Sequence, residues 1–162
     1  MAEKLKVLFL CTGNSCRSQM AEGWTRHLLG QVIEPYSAGI EIHGLNPLAV
    51  RVMAEAGVDI SGHRSKHLDE FRDVALAAVV TVCDHAHEQC PLFPGTSGQP
   101  GTEFNSVPRD NKMFHVGFDD PPWLARKIAT QGGTEEEQLD CYRRVRDEIR
   151  DFIKTLPAKL GV

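Results

Sequence analysis

The seven residues Cys11-Thr-Gly-Asn-Ser-Cys-Arg17 follow the apolar run Val7-Leu8-Phe9-Leu10 and lead into Ser18-Gln19-Met20-Ala21-Glu22, so a cysteine and an arginine bracket a five-residue loop between a strand and a helix. A buried strand delivers Cys11 to the carboxyl end of a sheet, and Gly13 lets the chain turn tightly. The amides that follow converge at the positive end of the helix dipole, an arrangement suited to a tetrahedral oxyanion. Arg17 adds a planar, bidentate clamp that a lysine could not supply, and the same positive field stabilises a thiolate on Cys11 and makes it a nucleophile. The expected oxyanion-binding set is Thr12, Gly13, Asn14, Ser15, Cys16, Arg17 and Ser18. The Ser18 hydroxyl is expected to donate to the Cys11 thiolate, and Asn14 to hold the loop by bonding its backbone. A cysteine and an arginine at fixed spacing can arise by chance. The preceding strand, Gly13, Ser18 and the following helix are four independent conditions that chance does not supply together. Cys16, inside the loop, reads as a small inward-pointing residue rather than a second redox partner.

With 162 residues, 41% of them hydrophobic, the chain is expected to form one domain over 1–162. A net charge of −4 with scattered basic residues argues against a nucleic-acid surface. The longest apolar run, Val74 to Cys83, is half of the roughly 20 residues that span a bilayer, so no membrane partner is expected. The five residues Val7 to Cys11 are too few for a signal-peptide core, and the expected location is cytoplasmic. Five cysteines are an odd set, and in a reducing compartment thiols serve as nucleophiles, metal ligands or buried side chains more often than as structural disulfides.

Apolar segments at Lys6–Leu10, Val32–Ser37 and Ala77–Val82 alternate with helical patterns, the rhythm of a doubly wound α/β sandwich with parallel strands. Asn46 as N-cap, Pro47 at the first helical position and Gly57 just past the end frame one helix, with Ala49, Val52, Met53 and Ala56 on a common face. Thr134 and Glu137 make a capping box for a long C-terminal helix in which Leu139, Tyr142, Val145, Ile149, Phe152 and Leu156 recur at three- and four-residue steps, enough to cover one face of the sheet. A fourth strand is expected within Met113–Phe118. Residues 94–112, rich in Gly, Pro, Ser, Thr and Asn, read as a long flexible loop.

Cys83 follows a buried strand and so also emerges at the sheet's carboxyl edge, where ligands bind in such folds. It frames, with Cys90, the segment Asp84-His85-Ala86-His87-Glu88-Gln89. Six intervening residues do not match zinc spacing, and no second pair follows, so a redox pair is the better reading and no metal is expected. A helical segment would hold the two Cα atoms about 10 Å apart, beyond the roughly 7 Å a disulfide tolerates. Bonding them requires the segment to unwind or loop out, which suggests an oxidation-driven switch. Asp119 and Asp120 precede two prolines after the last expected strand. One of them is expected to cap a helix and the other to protonate an oxygen departing from a bound oxyanion. Cys141 reads as a small buried hydrophobe in the C-terminal helix. His43, His63, His67, His85, His87 and His115 show no ligand spacing and are assigned no chemistry.

Taken together, the loop Cys11 to Trp24, the segment Tyr36-Ser-Ala-Gly-Ile-Glu-Ile-His-Gly-Leu-Asn-Pro47, the Cys83/Cys90 pair and Gly117-Phe-Asp-Asp-Pro121 make the chain resemble the thioredoxin-coupled arsenate reductases built on the low-molecular-weight protein tyrosine phosphatase scaffold. The resemblance runs nearly the whole chain. It implies an α/β three-layer sandwich with a four-stranded parallel sheet of flavodoxin-like topology. It also implies that Cys11 attacks arsenate held by Arg17 and the loop amides, while Asp120 protonates the departing oxygen. Cys83 then takes up the oxidising equivalent as a Cys11–Cys83 disulfide with release of arsenite. Cys90 converts that bond to Cys83–Cys90, and thioredoxin reduces it. No cofactor is implied. Some members bind potassium through groups corresponding to Asn14, Glu22, Ser37 and an aspartate at the position of Lys66; here the lysine ammonium is expected to stand in for the cation. A phosphatase using Cys11, Arg17 and Asp120 is the rival reading, and it has no need of Cys83 and Cys90.

Overall fold

Strand β1 (Leu5–Cys11) buries Val7, Leu8, Phe9 and Leu10 completely, so both of its faces are covered, as in the central strand of a parallel sheet. In this computed structural model, which describes residues 3–83 and 112–162, β1 pairs in parallel with β2 (Ile33–Gly39) on one side and β3 (Ala78–Thr81) on the other. Strand β4 (Lys112–His115) adds in parallel to β3, giving the order β2-β1-β3-β4. The direction of winding reverses between β1 and β3, and in open α/β sheets the crevice at the carboxyl ends beside such a reversal is the place where ligands bind. The expected four-stranded parallel sheet is therefore present. Lys112, expected at the end of the loop 94–112, is instead the first residue of β4; the rest of that loop lies outside the described residues.

Helix α1 (Arg17–Leu29) crosses from β1 to β2, and α2 (Pro47–Glu55) begins the connection from β2 to β3. Helix α3 (Pro121–Thr130) and the long α4 (Glu135–Leu160) follow β4. One face of the sheet, with Val7, Phe9 and Val80, packs against Met20 and Trp24 of α1, Val52 and Met53 of α2, and Leu139, Val145, Ile149 and Ile153 of α4. The other face, with Leu8, Leu10, Ala38 and Val79, lies under Phe71 and Leu76, which belong to a short 3-10 turn (Leu68–Phe71) and the segment after it. No helix among the described residues is long and apolar enough to cross a membrane.

The caps follow the sequence. The Asn46 side chain accepts from the amides of Leu48 and Ala49, and Gly57, just past α2, has φ +85°, a conformation only glycine adopts without strain. Thr134 accepts from the Glu137 amide at 3.1 Å. Its hydroxyl also donates to the Glu137 carboxylate at 3.3 Å, so the reciprocal half of the capping box runs between the side chains. Two expectations need correction. Ile153 fills the fully buried place assigned to Phe152, which is half-buried and meets the Phe118 ring edge-on at 6.0 Å. Cys141 is half-exposed, its thiol 3.7 Å from the Glu137 carbonyl, and is no core residue. Helix α3 begins where one of Asp119 and Asp120 is expected to cap a helix, with Pro121 and Pro122 in its first turn; its run to Thr130 carries no further signal in the sequence.

Candidate active site

The loop after β1 has its carbonyls turned outward and engaged. The Thr12 carbonyl accepts from the Glu41 amide at 3.0 Å, that of Gly13 from the His43 amide at 3.1 Å and the Ser65 hydroxyl at 2.9 Å, and that of Ser15 from the Asn46 amide at 3.0 Å. The Asn14 carbonyl accepts from the Gln19 side-chain amide at 3.1 Å. With the carbonyls committed outward, the amides of Gly13, Asn14, Ser15 and Cys16 donate to no acceptor among the described residues. Buried backbone donors are rarely left in that condition unless a ligand is to accept from them. They surround a cavity of about 440 Å³ lined by Cys11, Thr12, Gly13, Ser15, Cys16, Arg17, His43, Asn46, Asp120, Pro122 and Arg126.

Asn14 sets this geometry. It is fully buried with φ +47°, a left-handed conformation that asparagine tolerates better than most residues. Its side-chain oxygen accepts from the Lys66 amide at 2.7 Å and from Gln19 at 3.0 Å, while its amide nitrogen donates to the Ser18 hydroxyl at 2.9 Å. Ser18 Oγ is also hydrogen-bonded to Cys11 Sγ at 2.8 Å, and to a Cys11 thiolate it is the donor. Gly13 and Gly39 are required for different reasons. A Cβ at Gly13 would overlap the His43 imidazole, and one at Gly39 would stand 2.7 Å from the Thr12 carbonyl oxygen and 2.8 Å from the Asn14 nitrogen.

Arg17 is almost wholly buried at the start of α1. It donates to the Phe118 carbonyl at 3.0 Å, and its other terminal nitrogen lies 3.9 Å from Asp120 Oδ1. Asp120 holds the N-cap position of α3, but its carboxylate caps nothing and faces the cavity. Asp119 is drawn away by Arg144 of α4 at 2.9 Å. Neither aspartate therefore caps with its side chain, contrary to expectation. Cys16 is buried beneath the loop, where desolvation raises its thiol well above the ordinary cysteine range. Cys83 sits one residue past Val82, whose amide bonds the Leu10 carbonyl at 3.0 Å, so it emerges beside Cys11 on the neighbouring strand. It is disulfide-bonded to a partner outside the described residues, whereas Cys11, Cys16 and Cys141 are free thiols. Cys90, His85 and His87 also lie outside the described residues.

Behind the loop, the buried Glu22 carboxylate accepts from Ser37 Oγ at 2.8 Å and lies 3.2 Å from His63 Nε2, 3.1 Å from Arg26 and 3.6 Å from Lys66 Nζ. His63 Nδ1 faces the Gln19 side-chain oxygen at 3.0 Å, which ties this cluster to Asn14. Burial lowers the affinity of both His63 and Lys66 for their protons, and the nearby Glu22 charge opposes that effect. The residues do not fit a bound potassium ion, because the Lys66 ammonium already stands at the Glu22 carboxylate.

A low molecular weight phosphotyrosine protein phosphatase family model matches residues 6–161. The chain belongs to that family. Within it the similarity is to arsenate reductases. The chain is 45% identical to an arsenate reductase of Halalkalibacterium halodurans, over 94% of each sequence. A solved arsenate reductase in a phosphate-binding state superposes with a TM-score of 0.67 at 28% identity, covering 96% of this chain and 98% of the other. The low molecular weight protein tyrosine phosphatase of T. tengcongensis superposes at 0.64 with 27% identity, covering 96% and 99%.

Sequence reasoning assigned no role to His43, which lines the cavity, or to His63, and it missed Arg126. None of them sits at a diagnostic spacing from Cys11; only the fold brings them there. Two outcomes are expected. Ser18→Ala removes one hydrogen bond to the nucleophile, worth about 1 kcal/mol. The pH profile of Cys11 alkylation by iodoacetamide should move to higher pH, and an unchanged profile would remove that role from Ser18. Turnover should be equal in potassium and sodium salts at constant ionic strength, because Lys66 already neutralises Glu22; several-fold activation by potassium would contradict this.

Proposed function

We propose that the chain reduces arsenate to arsenite through Cys11, Cys83 and Cys90 and is recycled by thioredoxin in the cytoplasm. The observation that carries this reading is the placement of Cys83 beside a cysteine already seated in an oxyanion cradle. Adjacent strands lie about 4.8 Å apart and successive residues rise about 3.3 Å, so a side chain one step past the cross-strand neighbour of Cys11 is within reach of its sulfur after a local shift. A phosphatase requires a nucleophile, an arginine and an acid, but not this second thiol.

In the proposed sequence, the Cys11 thiolate attacks arsenic(V) in an arsenate held by Arg17 and the loop amides. Asp120 gives its proton to the departing oxygen, which leaves as water. The Cys83 thiolate then attacks Cys11 Sγ. The sulfur–arsenic bond breaks with its electron pair going to arsenic, which departs as arsenite, and a Cys11–Cys83 disulfide remains. Cys90 attacks Cys83 and frees Cys11, so both oxidising equivalents end as a Cys83–Cys90 disulfide. The dithiol of thioredoxin reduces it by the same exchange chemistry. A disulfide at Cys83 with Cys11 a free thiol is consistent with the state in which such a relay ends.

The test follows NADPH consumption in a mixture of arsenate, thioredoxin and thioredoxin reductase, with the parent protein, Cys83→Ser and Cys90→Ser. Arsenate-dependent turnover should be abolished by either substitution. Absence of turnover in the parent, with aryl-phosphate hydrolysis surviving both substitutions, would instead make the protein a phosphatase.

A further inference from the structure

Helix α3 presents three stripes at four-residue steps. Pro121 and Ala125 are buried against the core, Pro122 and Arg126 line the oxyanion cavity, and Trp123 and Lys127 stack with the ammonium 5.3 Å from the indole centre. The basic residues in and near the cavity differ in what occupies them. Arg17 is committed to the Phe118 carbonyl and lies by Asp120. His43 is held by the Glu41 carboxylate at 2.6 Å, Arg144 by Asp119 and Glu148, and Lys127 by Trp123. Arg126 lines the cavity, is exposed, and makes no hydrogen bond or ion pair with any described residue. Its charge nonetheless reaches inward as far as the buried Tyr142 phenol, whose hydroxyl accepts from the Asn46 side-chain amide on the cavity wall at 3.1 Å.

Arsenate is a multiply charged tetrahedral anion. The loop amides supply partial charges, and Arg17 supplies one full charge, with one of its terminal nitrogens already taken up by the Phe118 carbonyl. A second guanidinium at the rim would neutralise the remaining charge and reach an oxygen that the loop does not enclose. We propose that Arg126 is a substrate-binding residue that selects doubly charged tetrahedral oxyanions at the mouth of the cavity. This rests on reading that cavity as the arsenate site. Arg126 closes over the anion's outer oxygen with one or both terminal nitrogens, takes no part in the sulfur chemistry, and swings clear when arsenite, which is uncharged at neutral pH, departs. The prolines at the start of α3 fix the helix relative to Asp120, so the general acid and the second guanidinium are set by one rigid element.

The experiment compares the parent protein with Arg126→Gln and Arg126→Lys. Arg126→Gln should lower kcat/KM for arsenate about tenfold, as expected for one lost charge-assisted hydrogen bond. The loss should fall on KM rather than kcat, should shrink as ionic strength rises, and should be recovered in large part by Arg126→Lys. A second readout needs no turnover: inorganic phosphate should protect Cys11 from iodoacetamide, and about ten times more phosphate should be needed in Arg126→Gln. Equal protection in the two proteins overturns the role of Arg126 while leaving the arsenate site intact. A parent protein that phosphate does not protect overturns the oxyanion site itself and the role of Arg126 with it.

Discussion

The site depends on one buried asparagine. Asn14 carries a positive φ, and its side chain ties together the segment at Lys66, the first turn of α1 through Gln19, and the Ser18 hydroxyl that touches the nucleophile. Turning the chain through this residue directs the loop carbonyls outward, where donors from Gln19 and from residues 41 to 65 satisfy them. The amides must then face inward. An anion-binding surface is thus a consequence of hydrogen-bond accounting in the loop's surroundings. It does not rest on any cationic side chain, although Arg17 stands buried beside it and Arg126 lines its rim. The close approach of Gly39 to Thr12 and Asn14 completes the constraint, since any side chain there would push the loop out of shape.

The parallel sheet gives the second half of the account. Because β1 and β3 are neighbours at the point where the winding reverses, the chain places a second thiol beside the first without any dedicated element. The two cysteines differ in surroundings: Cys11 meets Ser18 at the mouth of the loop, whereas the fully buried Cys83 lies two residues past the end of β3. In the proposed relay, nucleophile and partner are therefore distinguished by environment rather than by residue type. The arginine and aspartate come from the starts of α1 and α3, so all the chemistry collects at one end of the sheet while α4 and the strands serve as its support.

What the sequence made legible was local. Cys11, Asn14, Ser18 and Arg17 lie within eight consecutive residues, and their mutual contacts follow from a strand, a tight turn and a helix start. The capped ends of α2 and α4 were readable for the same reason. Which of Asp119 and Asp120 faces the cavity was not, because the choice is made by Arg144, far along the chain. The Glu22 cluster brings together residues from α1, β2 and the segment after α2, and no spacing announces His63 as its member. Cys141 misled because it lies two residues past Leu139, about 200° around the helix and away from the core stripe. The exchange of Phe152 for Ile153 has a different origin, since either residue keeps three- and four-residue steps between Ile149 and Leu156 and only packing against the core decides between them. Arg126 was hidden because nothing in the sequence marks how far the helix after Pro121-Pro122 runs.

The most direct test of the central claim is a single turnover without thioredoxin. The fully reduced protein, with its five thiols, would be mixed with one equivalent of arsenate, and free thiols, arsenite and the position of any disulfide would then be measured. The account predicts the loss of two thiols for each arsenite formed, with the disulfide at Cys83–Cys90 in the parent protein and trapped at Cys11–Cys83 in Cys90→Ser. Five intact thiols and no arsenite after mixing would contradict it.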